Sequence, residues 1–307
     1  MSVFKNLLIF TLGAGTVAAL LIFSSLSPDK DSRNNEAPKL PADAVQQIRI
    51  PQLPDTLNFA GEPVPMDDPD VRERIDRELL AICFWHSNLI QNLKFSNRYF
   101  PIIEEMTSKY GIPDDFKYLA VTESSLRNAT SSVGAKGIWQ FMESTAKQYD
   151  LLVNKEVDER LNFYKTTEAA CKLLKNLKDK FGSWTLAAAA YNCGEGRVKD
   201  RISEQSGNDY YHLVLPEETM RYVPRIVAMK EIMKNPTKYG FSLSENDYYP
   251  ELPKYKKVIV NNSIKHWPEF CKEHNISYRT LVVHNPWIID YTLTNPVGKP
   301  YEVLIPE

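Results

Sequence analysis

The chain has 307 residues, of which 43% are hydrophobic, 11% aromatic and 25% charged, and its formal net charge is −2. This length can bury a sizeable core and has room for two domains. A near-neutral chain without a long basic run argues against nucleic acid as a partner.

The N-terminal segment has the pattern of a membrane anchor. Lys5 lies in a short first segment, and the twenty residues 7–26 that follow are uncharged and mostly apolar. Such a stretch is long enough to span a bilayer. We expect residues 1–27 to be an uncleaved anchor in the inner membrane, with the rest of the chain in the periplasm. A signal peptide that is cleaved after export is the alternative.

Residues 28–66 are polar and interrupted by seven prolines. This composition is typical of an extended linker, and we predict one that ends near residue 66.

Residues 67–240 carry the periodicity of helices and almost no strand signal. Apolar residues recur at three- and four-residue steps from Val71 to Leu93, which predicts one long amphipathic helix, and a second helix follows near 99–106. Further helices are predicted over 165–181 and 184–191, and after Glu218, with Pro224 in the first turn of the last one. We therefore predict an all-α domain over 67–240.

The composition changes after Pro250. The pattern predicts a strand at 257–260, helices at 264–274 and 278–283, and a closing strand at 301–305. A small β-α-α-β domain over 253–307 follows from this order.

The four cysteines form no CxxC pair and have no histidines at ligand spacing, so we predict no metal site. Buried free thiols are the preferred interpretation. A disulfide between Cys171 and Cys193, across a turn at Gly182, is the alternative.

Glu123 is the candidate catalytic residue. It ends a predicted apolar helix that starts near Pro113 and precedes a loop with Gly134 and Gly137. A second helix is predicted to open at Ile138. Partial desolvation in such a setting raises a carboxyl pKa and suits a general acid. A solvated glutamate at a helix end is the simpler interpretation of this fragment alone.

Four motifs occur in order between residues 100 and 235. They are Glu123-Ser124, Gly134-x-x-Gly137-Ile138-Trp139-Gln140-Phe141-Met142, Ala190-Tyr191-Asn192-x-Gly194 and Glu218-Thr219-x-x-Tyr222-Val223-Pro224. This series resembles the motifs of Slt-type lytic murein transglycosylases, most closely the membrane-bound type D group. The resemblance implies a lysozyme-like, mainly helical domain.

The C-terminal segment resembles a divergent LysM module. The cues are Val258-Ile259-Val260, Asn285-Pro286-Trp287 and Val303-Leu304-Ile305. The usual Gly-Asp-Thr after the first strand is replaced by Asn261-Asn262-Ser263, so both glycan binding and a purely packing role stay open.

The resemblance also implies chemistry. A single acid/base, Glu123, would cleave the β-1,4 bond between N-acetylmuramic acid and N-acetylglucosamine and leave a 1,6-anhydro end. The implied reaction consumes no water, metal or cofactor. The substrate-binding residues that it implies are Ser124, Gln140, Tyr191, Asn192, Glu218 and Tyr222. Tyr191 as a core aromatic and Asn192 as a helix C-cap are the alternatives for these two.

The expected partners are peptidoglycan glycan strands, the membrane through the N-terminal segment, and cell-wall machinery, with the protein itself a monomer. Two alternative functions stay open at this point. One is a hydrolytic, goose-type muramidase on the same scaffold, and the other is a peptidoglycan-binding protein without catalysis.

Overall fold

The computed structural model describes residues 50–307, and most of these residues lie in helices. The predicted anchor at 1–27 and much of the predicted linker lie outside the described residues. Within residues 50–307, no helix is both long enough and apolar enough to cross a membrane.

The mainly helical fold predicted from the periodicity is confirmed. The helices of residues 50–307 are α1 (Pro69–Phe84), α2 (His86–Tyr110), α3 (Phe116–Ser124), α4 (Glu143–Gln148), α5 (Phe163–Phe181), α6 (Trp184–Cys193), α7 (Glu195–Gln205), α8 (Glu217–Lys234), α9 (Trp267–Glu273) and α10 (Tyr278–His284). The strands are β1 (Asn58–Phe59), β2 (Glu62–Pro63), β3 (Tyr255–Val260) and β4 (Tyr301–Pro306), in two antiparallel pairs, β1–β2 and β3–β4.

The first long helix is interrupted earlier than its periodicity predicts. Asp68 caps α1 by accepting hydrogen bonds from the backbone N–H groups of Asp70 (2.9 Å) and Val71 (3.4 Å). Trp85 leaves the helical conformation, with φ −91° and ψ 61°, and separates α1 from α2. The predicted boundary between 93 and 99 is wrong, because α2 continues through Pro101 to Tyr110.

The centre of the helical region is the alanine-rich helix α6. Ala187, Ala188 and Ala189 are fully buried, and α6 packs against both α5 and α8. Small side chains allow helix backbones to approach closely, so α6 fixes the spacing between its neighbours. This matters for function because α6 and α8 both carry candidate site residues.

The predicted linker ends too late. Phe59 is fully buried and its ring lies 5.1 Å from that of Phe116, while Glu62 accepts hydrogen bonds from the backbone N–H groups of Trp184 (2.5 Å) and Thr185 (2.9 Å) at the start of α6. The β1–β2 hairpin is therefore part of the helical region and caps a central helix. The proline-rich composition of residues 28–66 gives no local signal of this packing.

The C-terminal β-α-α-β arrangement is confirmed. Strands β3 and β4 pair antiparallel from Tyr255 opposite Pro306 to Val260 opposite Tyr301. With α9 and α10 they enclose a second hydrophobic core, whose fully or nearly fully buried members include Trp267, Phe270, Leu281, Trp287 and Val303.

A short segment of the helical region joins this C-terminal module by backbone hydrogen bonds. Val157 pairs with Ile288, and the N–H of Asp158 donates to the carbonyl of Trp287 at 2.9 Å. The buried carboxylate of Glu156 accepts hydrogen bonds from Thr292 and from both the N–H and the hydroxyl of Thr294. The two parts therefore meet at a joint with defined geometry.

All four cysteines are free, and three of them, Cys83, Cys171 and Cys271, are buried. Cys193 is only half-buried, so the preferred interpretation as buried thiols holds for three of the four.

Candidate active site

Glu123 lies in the last turn of α3. The chain turns sharply after it, because Ser125 and Leu126 both adopt the left-handed conformation (φ 55° and 56°). The carboxyl is half-buried, and desolvation raises its pKa to about 7. A carboxyl with this pKa is protonated in a large fraction of molecules near neutral pH, as a general acid requires.

Tyr222 of α8 holds this carboxyl. Its hydroxyl donates a hydrogen bond to Oε1 of Glu123, which partly offsets the rise in the pKa of Glu123. Tyr222 is 2% exposed, and burial raises its own pKa well above the usual value, so the hydroxyl stays a donor. The second carboxyl oxygen of Glu123 is left to carry the acidic proton.

Tyr210 fixes the part of α8 that carries Tyr222. Pro224 lacks an N–H and therefore leaves the carbonyl of Met220 without its helical partner. The buried hydroxyl of Tyr210 lies 3.0 Å from this carbonyl and 2.7 Å from that of Thr219, and it accepts a hydrogen bond from the N–H of Val223. Pro224 thus lies inside α8 and not in its first turn, which corrects the sequence prediction.

Two charged residues of α8 also change the pKa of Glu123. Glu218 is exposed at the start of α8 and its charge raises the pKa of Glu123 further, whereas Arg225 lowers it.

Arg225 is held by Glu78 of α1, a carboxylate with 2% exposure that accepts from the Nε atoms of Arg225 (2.9 Å) and Arg221 (2.5 Å). The sequence analysis missed Glu78 and Arg225. The position of Glu78, on the apolar face between Ile75 and Ile82, could have indicated a buried charge.

The loop between α3 and α4 is braced from within. Gln140 adopts φ 50°, and its amide nitrogen donates to the carbonyls of Gly137 (2.7 Å) and Ala129 (3.1 Å). Residues 138–142 therefore do not open a helix, and α4 begins only at Glu143. The amide nitrogen of Gln140, expected to hold a sugar, is already used by the loop.

Ser124 stabilises the same loop by a hydrogen bond. Its buried hydroxyl donates to the carbonyl of Ile138 at 2.8 Å. Gly137 completes the turn with φ 85°, and a Cβ added there would lie 2.0 Å from the carbonyl oxygen of Arg160. Ser124 and Gln140 thus position the loop, and the structure gives neither of them a free donor for a substrate.

Tyr191 and Asn192 approach from α6. The hydroxyl of Tyr191 donates to the carbonyl of Trp139 at 2.6 Å. Burial, and after it the charge of Glu123, raises the pKa of Tyr191 well above its usual value. Asn192 accepts a hydrogen bond from the hydroxyl of Thr219 at 2.8 Å, the residue next to Glu218. Asn192 is not the helix C-cap, since Gly194 occupies that position. Glu123, Tyr222, Tyr191, Asn192 and Glu218 are thus brought together from α3, α6 and α8.

Within residues 50–307, no group of three or more His, Cys, Asp or Glu side chains could hold a metal ion. The carboxyl of Glu123, with its pKa raised to about 7, can both donate and accept a proton near neutral pH.

Comparison with known proteins finds two family matches in this chain. The transglycosylase SLT domain family matches residues 101–214, a range that includes Glu123 and Asn192. The LysM-like C-terminal domain of soluble lytic transglycosylases matches residues 256–307. A protein of Alteromonas sp. (strain M-1), named for tributyltin chloride resistance, is 32% identical over 166 residues, which cover 52% of this chain and 80% of that protein.

The chain belongs to the SLT-domain family. Membrane-bound lytic murein transglycosylase D of Escherichia coli (strain K12) is also 32% identical over 202 residues, which cover 63% of this chain. The match covers 44% of that protein, so the chain spans less than half of its length. The resemblance to SLT-type proteins of this group with a LysM-like module is confirmed.

Among solved structures, the 70 kDa soluble lytic transglycosylase of E. coli superposes with a TM-score of 0.39 and 23% identity, over 50% of this chain and 27% of that chain.

Proposed function

We propose that this SLT-domain protein is a peptidoglycan lytic transglycosylase that cleaves the β-1,4 bond between N-acetylmuramic acid and N-acetylglucosamine without water. The observation that carries the proposal is the half-buried carboxyl of Glu123, whose pKa is raised to about 7 while Tyr222 fixes its orientation. The family and the printed name of the E. coli relative support the substrate class.

In the first step, protonated Glu123 donates its proton to the glycosidic oxygen as the bond to the anomeric carbon of the muramoyl residue breaks. The carboxylate that results then takes the proton from the C6 hydroxyl of the same residue. The C6 oxygen bonds to the anomeric carbon and closes the 1,6-anhydro ring. The enzyme regains its proton and consumes no water, so one acid/base residue is sufficient.

The neighbouring residues support these steps. Tyr222 keeps one carboxyl oxygen occupied, so the proton is presented from the other. Tyr191 and Asn192 line the site, where the amide nitrogen of Asn192 can donate to a sugar. Glu218, exposed at the start of α8, orders the groove, and its charge adds to the rise in the pKa of Glu123 that burial causes. Ser124 and Gln140 act by bracing the loop.

The cell envelope is the proposed location, because the substrate is there and the E. coli relative is named as membrane-bound. We propose that residues 1–27 anchor the chain in the inner membrane, followed by a linker, a catalytic domain that ends near 240 and a LysM-like domain over 253–307. A monomer associated with cell-wall machinery fits this arrangement.

The test is digestion of purified peptidoglycan, with the released muropeptides weighed by mass spectrometry. Products lighter by one water than hydrolysis products are expected, because 1,6-anhydro ends form. Products with full-mass reducing ends would identify a muramidase. No release, with retained sedimentation on sacculi, would identify a binding protein.

Glu123→Gln is the matched variant, since it keeps the shape of the side chain and removes the acid. We expect it to bind sacculi and to lose turnover by about 10²-fold or more. Lysis at the parent rate would show that Glu123 is not the acid.

A further inference from the structure

A cavity lies at the joint between the helical region and the C-terminal module, and none of the proposed catalytic or substrate-binding residues lines it. Its volume is about 520 Å³. Its lining includes Asn128, Asn162 and Tyr164 from the helical region and Tyr255, His284 and Trp287 from the C-terminal module. Ligand sites of roughly 300–1,000 Å³ occur preferentially at such junctions.

The walls of this joint cavity combine aromatic rings with open polar atoms. Within residues 50–307, the hydroxyl of Tyr164, the amide nitrogen of Asn162 and the amide oxygen of Asn128 have no hydrogen-bond partner, although each residue lines the cavity. Polar atoms in a largely apolar cavity give a ligand its orientation. The unpaired set contains two donors and one acceptor that a ligand could use.

The chemistry of this lining selects among ligands. Aromatic faces such as those of Tyr164 and Tyr255 suit the C–H faces of sugar rings, and asparagine amides suit hydroxyl and N-acetyl groups. Arg98 and Glu251 bring one charge of each sign to the wall, so the lining does not select for a highly charged ligand.

The cavity is also preformed. The hydrogen bonds between Asp158 and Trp287, and those of Glu156 with Thr292 and Thr294, hold its two walls in register. A ligand therefore does not have to pay the entropy of bringing the two parts together. Ile138, whose carbonyl accepts from Ser124, connects one wall to the loop of the candidate active site.

We infer that the joint cavity binds an N-acetylated sugar of a glycan strand, at a site separate from the one where Glu123 acts. The choice of polymer rests on the proposed function. The pocket would hold a strand, or a released fragment, against both parts of the protein.

The test is isothermal titration calorimetry of the full chain with tri-N-acetylchitotriose as the probe. The Glu123→Gln background prevents turnover. We expect Tyr164→Ala in this background to weaken binding at one site by about tenfold or more. Tyr164→Phe, which removes only the hydroxyl, should weaken it less, and Asn128→Ala provides an independent variant at a second position of the same wall. Thermal unfolding shows which variants are folded.

Tyr291→Ala is the matched control, because Tyr291 is an exposed tyrosine of the C-terminal module that does not line the cavity. Three outcomes would each overturn the inference. The affinity could be unchanged in both Tyr164→Ala and Asn128→Ala, the Glu123→Gln chain could fail to bind the probe, or binding could be lost in Tyr291→Ala instead. Digestion of sacculi with Glu123 intact separates the two proposals. Anhydro products without pocket-dependent binding would refute the pocket alone, and pocket-dependent binding without anhydro products would refute the enzymatic function alone.

Discussion

The hydroxyl of Tyr222 donates a hydrogen bond to the carboxyl of Glu123, although the two residues lie 99 positions apart in the chain. Burial raises the pKa of Glu123, and this hydrogen bond lowers it. These two opposing effects, burial and one hydrogen bond, are the largest of those that together place the pKa of Glu123 at about 7.

Tyr222→Phe removes the larger of the two effects that lower the pKa of Glu123. We expect the pKa of Glu123 to rise further, so the acid stays protonated to higher pH and the alkaline limb of kcat/KM moves upward. The maximum rate should fall about tenfold, because one hydrogen bond to an ionisable group is lost. The dependence of kcat and kcat/KM on pH measures both the shift of the alkaline limb and the fall in the maximum rate. Tyr149→Phe is the control, since its hydroxyl pairs with Asn176. A downward shift of the limb would contradict the prediction.

Glu123→Gln should make stability less dependent on pH. The pKa of Glu123 is raised from 4.5 to about 7 in the folded state. The stability that this group contributes is therefore fully present below pH 4.5 and is lost as pH rises through about 7. The parent should therefore lose up to about 3 kcal/mol relative to the variant between these values.

Urea unfolding at pH 4.5, 6 and 8 tests this stability prediction, with Glu195→Gln as an exposed-carboxylate control. A difference between parent and Glu123→Gln that does not change with pH would refute it.

Gly137→Ala and Gly134→Ala form a matched pair. Both glycines have positive φ (85° and 88°), but an added Cβ at 137 meets the carbonyl of Arg160 at 2.0 Å and at 134 meets nothing within 4 Å. We expect about 1–2 kcal/mol of destabilisation at 134, from the left-handed conformation alone. At 137 we expect about 4 kcal/mol or more. Equal losses in the free energy of unfolding, measured by chemical denaturation, would show that the loop moves to accommodate the Cβ at 137.

Ser124→Ala distinguishes bracing from substrate contact. Loss of the hydrogen bond to the carbonyl of Ile138 should cost about 1 kcal/mol and speed hydrogen exchange at residues 138–141, while KM changes little. A raised KM with unchanged exchange would instead mean that Ser124 contacts the sugar.

Glu156→Ala should loosen the joint. The hydrogen bond from the backbone N–H of Thr294, with those from the hydroxyls of Thr292 and Thr294, holds the pKa of Glu156 below its usual value. The stability that Glu156 contributes is therefore present above pH 4.5 and is lost as pH falls through the lowered pKa. We expect faster proteolysis between residues 240 and 255 in the variant at pH 7, and in the parent only in acid. Thr280→Ala, in the same module, is a control. Identical cleavage of variant and parent would show that Glu156 does not hold the joint.

Much of the fold could be predicted from local pattern. Helical periodicity located α5 and α6, and the order of strand and helix signals located the C-terminal module. The errors arose where long-range contacts override local preference. Trp85 breaks a helix within a continuous apolar pattern, and the β1–β2 hairpin packs on the core despite its polar neighbours.

The sequence by itself determined the order of the motifs, the family, and Glu123 as the candidate acid, because these depend on residue types at fixed spacings. Only the tertiary structure decided the pKa of that acid, the use of Ser124 and Gln140 as braces, the contribution of Glu78 and Arg225, and the joint cavity. Desolvation and hydrogen-bond pairing depend on groups distant in the chain, and no local pattern records them.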